Sequence, residues 1–323
     1  MRSKKNGRKM SKSNKKKGII AFILASIVFS VFFYGLYLLG KINYIPIDEE
    51  NLGLSEEAPE DKKVTNILLF GLDNRVEGQR SRSDTIMIAT LDSRENKIKL
   101  TSLMRDTYVS IPGREDNRIN AAYAFGGPEL AIRTVNENYN MNIEKYVTVD
   151  FFSLEKVIDL LGGVEIEVKD YEVSSLNSGI KYLNNLYKDD TDSPIIDSPG
   201  KYTLDGRQAV AYARIRKAGN GDFERTDRQR TVLKALIEKG ASINPLEAHS
   251  LLSTILPEVE TNLSKGEILK LGLAGLKSAK NPVEDLRLPY EGTYQHQKIR
   301  GMAVLVPNME KNRQILHDFI FGS

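Results

Sequence analysis

The sequence predicts an α/β fold, an α+β sandwich whose central mixed sheet is flanked by helices and preceded by one N-terminal transmembrane helix. Three observations lead there. Short apolar runs of strand length recur along the chain. Stretches of helical spacing are interleaved with them from residue 64 onward. A charge-free run of 23 residues follows a basic tail.

Residues 1–17 hold nine Lys or Arg and no acid, and residues 18–40 carry no formal charge. As a helix the second segment spans roughly 34 Å at about 1.5 Å per residue, enough for a hydrocarbon core of about 30 Å. The cationic flank keeps the tail in the cytoplasm, so everything after Lys41 is expected outside, on a single-pass cell-membrane anchor. A cleaved signal peptide is the alternative. Against it, residues 31–39 read VFFYGLYLL, bulky to the end, where a cleavage site needs small side chains. Of the 46 Lys and Arg, the tail takes nine. The tail's positive charge suits anionic lipid, while the remainder holds 37 against 43 acids, a balance of about −6 that gives no support for nucleic-acid binding. Cysteine is absent, so an exported domain must rely on its core, and this fits a bacterial wall space.

Residues 41–63, acidic with Pro46 and Pro59, read as a linker, and residues 64–323 as one extracytoplasmic catalytic domain. Within it, 64–71 (VTNILLFG), 85–92 and 97–104 are strands, the last two joined by the polar turn 93–96, with 107–111 extending the second arm. Residues 119–139 have helical spacing broken at Gly126-Gly127-Pro128. A strand at 144–150, a helix at 151–161 and a strand at 164–168 follow. Residues 171–201 are polar and read as a surface loop or lid. Helices are expected at 204–212, 225–239, 246–259 and 265–278, strands near 283–289 and 301–306, and a last helix at 310–321.

No HExxH, GxSxG or cysteine nucleophile is present, and GLYLLGK at 35–41 is a chance match to a phosphate loop inside the anchor. Three arginine–carboxylate groups stand out instead. Asp73 ends one apolar strand, and Arg82 and Asp84 open the next. Two carboxylates without Cys or His nearby suit a hard cation such as Mg²⁺, with Mn²⁺ as an alternative. The plain alternative is that each Asp caps a turn. Arg105 and Asp106 interrupt a strand pattern, as an edge, a bulge or a projected site would. Finally Arg214 and Arg216 precede a glycine-containing loop and Asp222, Arg225, Arg228 and Gln229. The last three share a helix face, and such guanidinium forks can grip a pyrophosphate bidentately. A solvated face with Asp222, Glu224 and Asp227 as ion-pair partners is the plain reading here. The three histidines lie outside these motifs and read as structural or exposed.

Taken in order, Gly71-Leu72-Asp73, Arg82-Ser83-Asp84, Arg105-Asp106-Thr107, Arg118-Ile119-Asn120, Leu161-Gly162-Gly163-Val164, Leu204-Asp205-Gly206, Tyr212-Ala213-Arg214-Ile215-Arg216 and Asp222-x-x-Arg225-x-x-Arg228-Gln229 resemble the LytR-CpsA-Psr family of cell-wall polymer ligases. The match runs from about residue 64 to 240, and its ordered set is more specific than any one piece. The resemblance implies a phosphotransferase of Gram-positive-type envelopes. Its donor would be an undecaprenyl-pyrophosphate-linked glycopolymer (teichoic acid, capsule or another wall polymer) and its acceptor the C6 hydroxyl of peptidoglycan N-acetylmuramic acid. It implies Asp73 and Asp84 as Mg²⁺ ligands, and Arg82, Arg105, Arg118, Arg214, Arg216, Arg225, Arg228 and Gln229 as pyrophosphate contacts. Arg105, Asp222 and Arg225 would be catalytic, Asp222 helping to activate the acceptor. Arg118 stands where the family often has Lys. A polyprenyl pyrophosphate phosphatase and a non-catalytic lipid-binding regulator remain the rival readings.

Overall fold

In a computed structural model of the chain, residues 40–72, 82–187, 192–243, 253 and 256–322 are described. The expected span lies outside them apart from Gly40, as does most of the helix expected at 246–259. Among the described residues no helix is long and apolar enough to cross a membrane.

From Ile42 the chain forms one compact unit. Strands β1 (Asn43–Tyr44), β2 (Val64–Leu72), β3 (Ser83–Asp92), β4 (Lys97–Leu103), β5 (Tyr108–Val109) and β6 (Asn117–Arg118) precede helix α1 (Ala121–Tyr139). Next come β7 (Lys145–Asp150), α2 (Phe151–Leu160), β8 (Val164–Val168), α3 (Asp170–Tyr187), β9 (Gly200–Leu204), α4 (Gly206–Ala213) and α5 (Asp222–Ala241). The chain closes through β10 (Glu260–Thr261), α6 (Lys265–Ser278), β11 (Glu284–Leu288), β12 (Tyr294–Ile299), β13 (Met302–Pro307) and α7 (Met309–Phe321).

The central sheet is mixed, in the order β1-β10-β7-β2-β3-β4-β11. β2 pairs antiparallel with β3 and parallel with β7, so it lies at the centre with both faces covered. That explains its nearly unbroken apolar sequence. Leu68, Phe70 and Leu72 point to one face, where Ile132, Val135 and Tyr139 of α1 and Leu316 and Ile320 of α7 complete the core. Leu69 and Gly71 alternate to the other face, beneath α2 and α5. A bulge between Gly71 and Leu72 ends β2, and a Cβ on Gly71 would lie 2.9 Å from Thr85 Cβ, so only glycine fits this approach. A second core joins α2, β8, α3 and α4 through Ile158, Ile166, Leu176, Ile180 and Val210. Asp150 caps α2 through Ser153 N–H (2.7 Å), and Asp205 with Gln208 forms a capping box on α4.

Two expectations are corrected, and one strand is added. The loop or lid expected at 171–201 is α3 as far as Tyr187. Val173, Leu176, Ile180 and Leu183 lie at helical spacing, and the last three are buried although the intervening residues are polar. The arm expected at 107–111 does not continue β4. The chain turns at Arg105 and Asp106, Thr107 N–H bonds Met104 O (3.0 Å), Thr107 bridges Leu305 of β13, and Tyr108 and Val109 pair with β6. β12, mostly exposed and rich in Gln, Lys and His, shows too little apolar alternation to be read as a strand, and pairing with β13 creates it. The break at Gly126-Gly127 is present as a kink within α1, with Gly127 at φ 68°.

Candidate phosphate site beside an apolar cavity

Two adjoining cavities meet at the ends of β2, β3 and β7. The first, about 260 Å³, lies between the sheet and α5 and is lined by Leu69, Met87, Val147, Val149, Val232 and Leu236 among other apolar groups. The second, about 180 Å³, is lined by Asp84, Phe151, Arg214, Arg216, Arg225 and Gln229. Phe151 and Gln229 belong to both linings, so the apolar chamber and the charged one lie side by side and share a wall.

The charged residues come from four separate stretches. Asp84 is the second residue of β3, and Arg105 and Asp106 follow β4. Arg214 and Arg216 follow α4. Asp222, Arg225 and Gln229, at i, i+3 and i+7, share one face of α5. Gly221, at φ 60°, makes the turn that starts this helix.

Arg105 bridges the aspartates: its Nη1 lies 2.5 Å from Asp84 Oδ1 and its Nη2 3.0 Å from Asp222 Oδ2. Arg216 Nη2 reaches Asp84 Oδ1 at 3.4 Å and its Nε Asp222 Oδ1 at 3.9 Å. Arg214 stacks over the Phe151 ring at 5.1 Å. Arg225 differs. Its side chain is 3% exposed, yet its contacts are long: 3.6 Å to Asp222, 3.8 Å to the Asp84 carboxylate and 3.5 Å to Asp84 O. Its Nε finds no hydrogen-bond acceptor. Burial lowers its pKa to about 10, with repulsion from Arg105 and Arg216 adding to the effect against attraction from Asp222 and Asp84. A buried, incompletely satisfied guanidinium facing a cavity is an anion receptor.

The carboxylates are not equivalent. Burial and a hydrogen bond with Asp222 push Asp106 up. Burial also acts to raise Asp222, but Arg225, Arg105 and Arg216 outweigh it and hold Asp222 below the usual carboxylate range. Asp222 is therefore the ionised partner, able to take a proton, beside an Asp106 that retains one more readily.

Asp84, Arg214, Arg216, Arg225 and Gln229 line this cavity, and Arg105 and Asp222 adjoin it through their ion pairs to Asp84, Arg216 and Arg225. Arg82 is exposed just before β3, and Asp73 lies outside the described residues. Arg118 does not line the cavity, since its Nη1 pairs with Asp106 at 3.1 Å. Arg228, expected as a pyrophosphate contact, is corrected. Its buried fork is taken by Glu172 (2.7 Å), Glu224 (2.7 Å) and Ile215 O (3.2 Å), so it ties α5 to α3 and the 215–218 turn. Asp106 stands out along the chain without showing a role, and Phe151 does not stand out at all, because an apolar side chain carries no chemical signal on its own.

Among the described residues no group of three or more His, Asp or Glu could hold a metal. Asp84 still offers hard oxygen donors at the cavity wall. Mg²⁺ commonly takes one or two carboxylates and completes its shell with water and phosphate oxygens, so this donor chemistry fits.

Fold and site together define a class: a mixed-sheet α/β domain that receives an amphiphile, apolar at one end and multiply anionic at the other. The chain belongs to the LytR_cpsA_psr family, whose model matches residues 43–318. It is 31% identical over 292 residues to the polyisoprenyl-teichoic acid–peptidoglycan teichoic acid transferase TagU of Halalkalibacterium halodurans, across 86% of this chain and 90% of that one. It is 33% identical over 264 residues to the regulatory protein MsrR of Staphylococcus aureus, across 80% and 75% of the two chains. Among solved structures, TagT bound to LI-WTA superposes with a TM-score of 0.67 at 26% identity, covering 86% of this chain and 99% of that one.

Proposed function

We propose that this chain moves a glycopolymer from a polyprenyl pyrophosphate carrier to peptidoglycan, leaving it attached through a phosphodiester. The observation that carries this reading is Arg225, buried and under-satisfied where the apolar cavity meets the arginine-lined one. The isoprenoid would occupy the chamber under α5, and Arg214, Arg216, Arg225 and Gln229 would hold the diphosphate. Asp222, kept ionised by the arginines around it, accepts the proton of the acceptor sugar hydroxyl. The hydroxyl oxygen attacks the polymer-side phosphorus, that P–O bond forms as the anhydride P–O bond breaks, and polyprenyl phosphate leaves. Arg105 holds Asp84 and Asp222 in register, and the guanidinium cluster offsets charge developing on the phosphoryl oxygens. Asp84, with Asp73, would hold Mg²⁺ or Mn²⁺, which when bound neutralises diphosphate charge.

The same reading keeps residues 18–40 as the membrane anchor and residues 64–323 as the extracytoplasmic catalytic domain, at the surface where such a carrier lipid resides. Protease digestion of intact cells tests this, because a cytoplasmic domain would survive.

The deciding assay supplies labelled lipid-linked donor and peptidoglycan oligosaccharide. Label on the glycan supports transfer; release to water alone, with acceptor present, makes the protein a phosphatase. The likeness to a relative named as a regulator favours a second, non-catalytic reading. Arg105→Ala and Asp84→Ala decide between the two: full polymer attachment by both folded variants would support the regulator.

A further inference from the structure

We propose that Phe223, Tyr294 and His296 form the platform on which sugar rings of the acceptor glycan dock, a reading that rests on the transferase function above. Phe223 directly follows Asp222 in the chain. On α5 it is turned about 100° from Asp222 and further from Arg225 and Gln229, the two residues of that face that line the charged cavity. It therefore borders the reactive carboxylate from a side that the apolar chamber does not occupy.

Against Phe223 stand two rings from β12. Tyr294 stacks on it with centroids 5.7 Å apart and an interplanar angle of 28°. His296 approaches at 6.1 Å and meets Tyr294 edge-on at 5.5 Å. The Arg287 guanidinium lies 4.8 Å from the Phe223 ring centre and pairs with Asp227 at 3.5 Å, fixing the ring. Phe223 and Tyr294 are half-buried and His296 is exposed, so the group reaches solvent.

The hairpin is built into the site. Leu305 of β13 lies directly opposite His296, its N–H donates to Asp106 O (3.0 Å), and it forms a parallel bridge with Thr107. The rings are thus held by the loop that carries Arg105 and Asp106. Core packing of the hairpin falls to Val304 and Leu305, which are buried, and does not need an exposed imidazole. Tyr294 also walls a separate groove of about 430 Å³ with Thr293, Gln295, Asn308 and Lys311. Aromatic faces beside amide, hydroxyl and ammonium groups suit a glycan. The C–H face of a hexose carries slight positive charge and lies on the negative ring face, while hydroxyl and acetamido groups find donors and acceptors. Helix α5 thereby separates the two substrates, lipid on one side of Asp222 and acceptor sugar on the other.

The test uses the full chain in detergent, saturated with lipid-linked donor, with initial rates measured against peptidoglycan oligosaccharide concentration. Tyr294→Ala/His296→Ala should raise the acceptor KM about tenfold and leave donor KM and donor hydrolysis unchanged. Tyr294→Phe/His296→Phe should stay within about twofold of the parent, because ring faces rather than polar edges make the contact. An unchanged acceptor KM in the Ala pair overturns the proposal, and so does an equal loss in the Phe pair. Should the Ala pair unfold, His296→Ala alone, at an exposed site, should show about a threefold rise; no rise overturns the proposal. Saturation-transfer NMR of the oligosaccharide without donor reads the platform independently. Sugar signals should appear with the parent and fade with the Ala pair, and equal signals overturn the proposal. Absence of transfer by the parent would sink the transferase reading, and the NMR comparison would still decide the platform.

Discussion

Arg225→Met separates what the buried guanidinium does for folding from what it does for binding. Its pKa of about 10, below the ordinary arginine value, means that the folded chain disfavours its charge, through burial first and then Arg105 and Arg216. At neutral pH the group is charged in both folded and unfolded chains, so the whole penalty is present. It is relieved only as pH climbs through about 10. At 1.36 kcal/mol per pH unit the penalty is at most about 3 kcal/mol. Methionine is unbranched, apolar and adaptable enough to fill much of the same space. Thermal unfolding of the ligand-free variant should therefore shift upward by about 4–8 °C, corresponding to ~2 kcal/mol at this chain length. Inorganic pyrophosphate, added as a probe, should stabilise the parent through mass action and the variant far less. Loss of a charge-assisted fork weakens binding by about 3 kcal/mol, on the order of a hundredfold. A lower melting temperature for ligand-free Arg225→Met, or an equal pyrophosphate shift in both proteins, would refute this account of the site.

The neighbouring arginine should behave in the opposite way. Arg228→Met strands Glu172 and should cost about 3–5 kcal/mol of stability, seen in denaturant titration, while pyrophosphate binding per folded molecule stays near the parent's. Asp222 has a lowered pKa, so kcat/KM should be flat through neutral pH and fall only in acid as that carboxylate protonates. Asp222→Asn should lose about 10²–10⁴ in rate, and a variant retaining the parent's acid limb would exclude Asp222 as the base. Val232→Trp should fill the apolar chamber and abolish co-purification of polyprenyl lipid, detected by mass spectrometry, without weakening pyrophosphate binding. Chelation should stop transfer and Mg²⁺ or Mn²⁺ restore it; undiminished transfer after chelation would remove the metal from the mechanism.

Much of this protein is local, and local features can be read along the chain. The apolar runs that became β2, β3, β4 and β7, the glycine break in α1 and the ordered Arg and Asp motifs need only neighbours in sequence to be recognised. α3 was also encoded, in the spacing of Leu176, Ile180 and Leu183, but its polar composition masked the period. β12 had no such signal, because an exposed strand is defined by the partner strand it hydrogen-bonds to and not by burial.

Residue type alone marks arginines, which stay charged, as able to grip a diphosphate, and carboxylates as suited to a hard cation. Folding in three dimensions set which of them line the cavity and which are tied up in internal ion pairs. Arg225 and Arg228 lie one helical turn apart with identical chemistry. One faces a cavity with no close acceptor, and the other is buried against Glu172 from a helix more than fifty residues away. The same holds for Asp106 and Asp222, alike in composition and opposite in proton affinity. Electrostatic energy and desolvation depend on distances through space, and a linear string of residues does not contain those distances.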